Sequence, residues 1–308
     1  MANENYTVNN VDGFIITGFD HLQNKKLLGF LILITYMLIL LGNGINLCII
    51  LTDRHLHKPM YILICNLAVI DIMYTSTCST TMISVLLAEI KTVSYYSCIS
   101  RMFIYHLGDF TVCMALTLMA LDRLLAIRLP LRYHSIVTNS RTFLLIFLTW
   151  LITITIVGVL TLVADNLPYC QPVIRYVFCD HPSMIRAACV NPEPYFFLPA
   201  MLALWPMCGQ FPFIICSYAV LAYSVTKLSN NSSRKQMINT CLSHLIVLIS
   251  FFAQRNGILI VASLVPALIN PTVYCIRTKE IRKRLAYIFL HKKIVPNHLK
   301  SISIAISS

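Results

Sequence analysis

The chain has 308 residues and a formal net charge of +12, yet 57% of it is hydrophobic, only 12% is charged, and its mean hydropathy is +0.74. Soluble domains carry about 25% charged residues, so this composition cannot cover a water-facing surface and argues against an ordinary soluble enzyme. The positive charge could suit a nucleic acid, but its distribution along the chain points to a membrane instead.

Residues 1–24 are polar, carry Glu4, Asp12 and Asp20, and lack the basic and apolar regions of a cleavable signal peptide. The first apolar span is therefore expected to act as its own signal-anchor. Asn5-Tyr6-Thr7 is an N-glycosylation sequon, meaningful only if this end is extracellular.

Residues 27–51, 142–164 and 195–226 contain no Asp, Glu, Lys or Arg; residues 59–88 contain one charge, Asp71, and 102–121 contain one, Asp109. About 20 apolar residues cross a bilayer as a helix, so five spans are predicted here. Two shorter charge-free stretches, 236–253 and 257–276, supply a sixth and a seventh. Gln254-Arg255-Asn256-Gly257 would turn the chain between them, with Gly supplying positive φ. The alternative for this region is a re-entrant or disordered hairpin.

With the N-terminus outside, the cytoplasmic segments hold Arg54, Lys58, Arg123, Arg128, Arg132, Arg141, Lys227, Arg234 and Lys235. The tail adds eight more basic residues from Arg277 to Lys300, so most of the 24 lie inside, as the positive-inside bias requires. Lys25 and Lys26 oppose it locally.

Of 12 cysteines, Cys98, Cys170, Cys179 and Cys189 fall outside the spans on the extracellular side. An even number in an oxidising compartment reads as two disulfides, with three pairings open. Metal binding by these four is the weaker reading, since no CxxC or His partner stands at ligand spacing.

Within the third span Met102, Tyr105, His106 and Asp109 recur at helical spacing and share one face, with Phe110 beside them. An ionisable group inside a bilayer faces a polar cavity, so this face is expected to wall a ligand pocket, with Asp109 or His106 meeting a polar or cationic head group. The other reading of Asp109 is a satisfied polar residue bonded to neighbouring helices or water. From the fifth span Phe196, Phe197, Met201 and Leu204 are expected to form the opposite wall, in a helix kinked by Pro199, Pro206 and Pro212. Asp122 and Arg123 follow Cys98 by about 37 Å of helix, which places them at the other, wet face of the membrane.

Asn43, Asp71 and Asn270 are isolated polar residues in three spans, and Pro271 with Tyr274 makes a bendable end to the last one. Residues 277–293 place Ile281, Leu285, Ile288 and Phe289 at helical spacing among basic residues, and read as an amphipathic helix on anionic lipid. His55, His57 and His244 are read as packing or capping residues rather than metal ligands. No P-loop, GxSxG, HExxH or catalytic carboxylate pair is present, so enzyme activity is not expected and no cofactor or metal is called for.

Taken with the string HLHKPMY at 55–61, NLAVID at 66–71, MALDRLLAI at 119–127, LRYHSI at 131–136, KQMINTCLSHL at 235–245 and NPTVY at 270–274, the chain resembles the odorant (olfactory) receptors of the rhodopsin-like G-protein-coupled class. The spaced loop cysteines of LPYC, FCD and AAC (167–189) strengthen it. The resemblance runs from about residue 14 to 292 and implies an all-α membrane protein, a seven-transmembrane helix bundle.

Helices six and seven would be short and the third extracellular loop nearly absent, because only residues 246–269 separate SHL from NP, several turns fewer than the family has. The implied organisation is an extracellular N-terminus at 1–26, a transmembrane domain at 27–276, an amphipathic cytoplasmic helix at 277–293 and a tail at 294–308.

The resemblance also implies the disulfides Cys98–Cys179 and Cys170–Cys189 and glycosylation at Asn5. It implies a small-molecule odorant as ligand, a stimulatory heterotrimeric G protein as partner at Asp122 and Arg123, and a plasma-membrane location. Asn43, Asp71, Asn270, Pro271 and Tyr274 would form the network that rearranges on activation. Leu121 and Leu124 stand where the family usually carries tyrosines beside Asp-Arg. The competing expectations are a class A receptor for an amine or a peptide, a transporter, and a shortened family member that does not signal.

Overall fold

The computed structural model describes residues 12–226, 267–271, 281 and 284–286. The predicted sixth span and its turn, most of the seventh, Tyr274, Asn5 and the rest of the tail lie outside the described residues.

Four helices among the described residues are long and apolar enough to cross a membrane: α1 (Lys25–Thr52), α2 (Pro59–Leu87), α3 (Tyr95–Arg128) and a fourth, Asn139–Asp165. A short helix α4 (Tyr133–Ile136) precedes that fourth one, α5. The start of α2 at Pro59 follows from proline's fixed φ and missing N–H, which cost nothing at a first helical position. Thr138 caps α5 by accepting from the Arg141 N–H.

After α5 come a short loop helix α6 (His181–Ala187), then α7 (Glu193–Trp205), a π-helical turn at Pro206–Gln210, and α8 (Phe211–Thr226). The fifth predicted span is thus one broken element. Pro206 and Pro212 flank the break, where a proline withholds an N–H from the helical ladder and crowds the preceding turn.

The apolar surface identifies the solvent. Leu27, Phe30, Ile34 and Leu41 on α1 and Phe143, Phe147, Leu151 and Leu162 on α5 are all exposed. Soluble monomers do not present contiguous apolar faces of this extent, whereas lipid accepts them. Among the four spans α2 is the most buried and α5 the least. α1 packs on α2, α2 on α3, and α3 on both α5 and α8. Polar ties cross these seams, including Trp150 Nε1–H to Asn66 Oδ1 at 2.9 Å and the Thr111–Thr153 hydroxyl pair at 3.2 Å.

The all-α expectation needs one correction. A three-stranded sheet caps one end, in the order β2 (Thr92–Ser94), β1 (Gly13–Ile16), β3 (Val173–Ile174). β1 runs antiparallel to β2, pairing Gly13 with Ser94, and parallel to β3, pairing Ile15 with Val173. Strands this short carry too few residues for alternation to register in a sequence, and each finds its partner far along the chain.

The same end holds both disulfides. Cys98 joins Cys179 and Cys170 joins Cys189, each pair with Cα atoms 5.4 Å apart. Phe14, Met102, Tyr169, Ile174 and Met184 pack around the first bridge. At the opposite end a second core gathers Ile49, Leu56, Tyr61, Ile64, Leu67, Leu116 and Met119 with Ile214 of α8 and Ile281.

Candidate functional site

α3 carries functional candidates at both ends and in between. Near the disulfide end, Met102 is fully buried beneath the connection between α5 and α7, within the cluster that holds Met184, so it supports the site rather than lining an open wall. Tyr105 stacks on Tyr74 of α2, with ring centroids 5.1 Å apart, and tilts against Phe178 at 4.5 Å. His106 approaches Asp180 of the same connection, Nε2 to Oδ1 at 3.0 Å.

The His181 N–H lies 2.9 Å from that carboxylate oxygen and 3.4 Å from His106 Nε2. One nitrogen cannot both donate and accept here, so the shorter bond identifies Asp180 as acceptor for both residues. Asp180 also opens α6 through a capping box with Ser183. The His106 ring is therefore oriented by a loop acid that sequence spacing did not single out. Asp109 and Phe110 sit about one turn along α3, both partly buried.

His181 is buried, with Nε2 3.2 Å from the Leu160 carbonyl oxygen. Its Nδ1 is buried with no hydrogen-bond partner among the described residues. Burial holds its pKa below the usual imidazole value, and the nearby His106 adds to that, while the Leu160 carbonyl and Asp180 oppose it.

The expected opposite wall is not where spacing put it. Phe197, Met201 and Leu204 are 66%, 49% and 51% exposed and lie on the outer surface. Phe196 takes the inward position instead: it packs against the Tyr169–Met184 cluster, and Arg186 lies over its ring at 5.5 Å. Adjacent helical residues point about 100° apart, so anchoring Phe196 turns Phe197 away. A charge-free span gives no sign of its rotational phase, which is why sequence reasoning missed this.

In the middle of the bundle the isolated polar residues converge on residues 267–271. Asn270 Nδ2–H donates to Asp71 Oδ2 at 2.7 Å, with both residues buried. Asn43 donates to the Ile39 and Ala267 carbonyls, not to Asp71. Asn46, which sequence reasoning passed over, reaches the Pro271 carbonyl at 3.4 Å. Gly42 lets this segment approach closely, since a Cβ there would lie 2.9 Å from the Pro271 ring.

At the far end of α3, Arg123 Nη2 and Asp122 Oδ2 are 3.2 Å apart. Tyr133 of α4 donates its hydroxyl hydrogen to Asp122 Oδ1 at 2.7 Å. Asp122 is 5% exposed: the acid is buried under the next loop. Burial raises the Tyr133 phenol pKa, and Asp122 beside it raises it further, so the hydroxyl keeps its proton and serves as donor.

Beyond α1, Asp53 accepts from the His55 N–H and from Arg284 Nε at 2.8 Å. Ile281 is buried in the core at this end and Leu285 packs against it, so these two meet protein rather than the lipid expected for an amphipathic surface helix. The His57 carbonyl accepts from Asn139, consistent with a packing role for that loop. Among the described residues no group of three or more His, Cys, Asp or Glu could hold a metal ion.

Comparison with known proteins adds the family. Residues 32–264 match the family model described as Olfactory receptor. That span covers four apolar helices, the broken fifth element and the Asp122–Arg123 pair. The chain belongs to the olfactory receptor family of G-protein-coupled receptors. It is 32% identical to human olfactory receptor 10G4 over 290 residues, covering 89% of this chain and 93% of that one. It is 33% identical to human olfactory receptor 10G9, with the same coverage, and 29% identical to mouse olfactory receptor 10D1B over 94% of this chain and 98% of that one. The receptor is thus a multi-pass membrane signalling protein and not an enzyme. Within it, Tyr133 supplies a hydroxyl to Asp122 where Leu121 and Leu124 have none to offer.

Proposed function

We propose that this receptor is activated by a small odorant bound between the outer halves of its helices and that it engages a stimulatory heterotrimeric G protein at the Arg123 end. In this reading the chain forms a seven-helix bundle at 27–276 with residues 1–26 outside the cell, and residues 277–293 and the tail 294–308 inside. Tyr105, His106, Asp109 and Phe110 line the odorant site, with Tyr74, Phe178 and Asp180 completing it.

One observation carries the reading: Arg123 is held by a buried acid that a single tyrosine hydroxyl from the next loop completes. Such a latch has a bound and a released arrangement, and a ligand shifts them only by its differential affinity for the two. Asp71, Asn270, Asn43 and Pro271 join α1 and α2 to residues 267–271, and their rearrangement would accompany release.

The test expresses the full chain in cells with a cAMP reporter, measures surface display in parallel, and applies an odorant panel alongside amines and peptides. An odorant-dependent rise that Arg123→Ala abolishes at unchanged surface display is expected. Asp109→Asn should alter responses to at least some active ligands; unchanged responses to all of them would remove Asp109 from the site. The shortness of residues 246–269 favours one alternative, a family member that does not signal. Full surface display with no response to any ligand would favour it and overturn the proposal.

A further inference from the structure

Arg101 stands one turn along α3 from Cys98, at the disulfide end, and its partners differ from those of the neighbouring cations. Lys91 pairs with Asp20 at 2.6 Å, Lys25 with Asp20 at 3.7 Å and Lys26 with Glu89 at 3.9 Å. Arg186 lies over the Phe196 ring. Arg101 meets only neutral hydroxyls: Nη1 donates to Thr81 Oγ1 at 2.5 Å and to Thr80 Oγ1 at 3.4 Å, and Nε donates to Ser97 Oγ at 3.1 Å. Among the described residues it has no carboxylate partner, and no hydrogen bond uses Nη2.

This guanidinium borders a cleft of about 210 Å³ between the ends of α2 and α3, also lined by Ser84, Val85, Ile90, Thr92 and Val93. Its lining combines polar residues, Thr81, Ser84, Ser97 and Arg101, with the apolar Val85, Ile90 and Val93. A larger hollow of about 590 Å³, beside Lys25, Lys26, Glu89 and Lys91, is less suited to an anion because its cations already have acids.

We infer that the Arg101 cleft binds a small aliphatic carboxylate, taken by the free Nη2 of the guanidinium, with its short chain lying against Val85, Ile90 and Val93. A partly buried guanidinium without a counter-charge is electrostatically incomplete, and its free Nη2 offers a carboxylate oxygen a charge-assisted bond. The hydroxyls of Thr81, Thr80 and Ser97 hold the fork in place, so little ordering remains to be done on binding. The volume of about 210 Å³ admits a chain of a few carbons and is smaller than the roughly 300 Å³ and larger pockets that take drug-sized ligands. The site is distinct from the His106–Asp109 face and its occupancy does not require a G protein. It goes beyond the odorant site proposed above by adding a second, separate site with its own ligand class.

The experiment uses the purified full chain in phosphatidylcholine nanodiscs with butyrate as probe and butyramide as the neutral control. Arginine modification by phenylglyoxal is read at each residue by mass spectrometry. Butyrate should slow modification of Arg101, leave Arg128 and Arg132 unchanged, and butyramide should have no effect. Binding followed by line broadening of 13C-carboxyl butyrate should weaken about tenfold or more in Arg101→Gln. Arg101→Lys should retain an intermediate affinity, and Ser84→Leu should block the cleft with Arg101 intact.

Equal protection by butyramide, or none by butyrate, would overturn the inference. So would protection that appears only when anionic lipid is added to the discs, which would assign the site to a headgroup. Because no signalling step is read, failure here leaves the cAMP result standing, and failure there leaves this one.

Discussion

Tyr133 covers Asp122. Its hydroxyl donates to Oδ1 at 2.7 Å while Oδ2 stands 3.2 Å from Arg123 Nη2 without a hydrogen bond, so the loop after α3 supplies to the acid a bond that its ion pair does not. Removing one hydrogen-bonding partner of a buried charged group costs about 1.5–3 kcal/mol. Tyr133→Phe should therefore lower thermal stability by about 1.5–3 kcal/mol and raise basal cAMP. Unchanged basal signalling at equal surface display would show that the hydroxyl does not restrain Arg123.

Gly42 and Gly44 make a matched pair on α1. A Cβ at Gly42 would lie 2.9 Å from Cβ and Cγ of Pro271, a ring that cannot rotate away, whereas nothing lies within 4 Å of one at Gly44. Gly42→Ala should cost about 1–3 kcal/mol through overpacking. Gly44→Ala should be neutral or stabilising by about 0.5–1 kcal/mol through helix propensity. Thermal unfolding in detergent compares the two directly, and equal effects would refute the close contact.

The two disulfides should differ in worth. Chain-entropy reasoning gives about 4.5 kcal/mol for the bridge closing 81 residues, Cys98–Cys179, and about 3 kcal/mol for Cys170–Cys189, which closes 19. Cys98→Ser is therefore expected to reduce surface display more than Cys170→Ser. The reverse order would show that native packing around each bridge, rather than loop closure, dominates.

His181 predicts a pH dependence. Its folded pKa is below the unfolded value, chiefly because it is buried, so the unfolded chain binds the proton more readily. Its contribution is complete above the unfolded imidazole value of about 6.5 and is lost as pH falls from there toward the folded pKa. His106 and Asp180 share its surroundings, so the comparison is between the chain and His181→Gln. The wild-type unfolding temperature should fall more steeply between neutral and mildly acidic pH than that of His181→Gln. Parallel slopes would assign the dependence elsewhere.

The candidate face of α3 was legible because its residues are few and periodic. Tyr105, His106 and Asp109 fall on one side of any helix, and a charge-free neighbourhood makes Asp109 conspicuous. What met them was not legible. Asp180 lies 74 residues beyond His106, within a loop whose path depends on two disulfides and a small sheet. Phe197, Met201 and Leu204 suited an apolar wall in composition, but Phe196 occupies the inward position and turns them out. Asp122 was placed correctly along α3, while its burial depends on Tyr133, a residue of the next element.

Hydropathy and spacing by themselves determined that lipid is the solvent, where the first five apolar segments run, and which polar residues each segment carries. These are local properties, set by side-chain transfer energies within about 20 residues. Only the tertiary structure decided which face of α7 turns inward, that a sheet ties β1 to β2 and β3, and that Asp71 meets Asn270 across 199 residues. Those outcomes depend on contacts between segments distant in the chain, whose rotation and depth are chosen by packing against one another and leave no trace in the composition of any one of them.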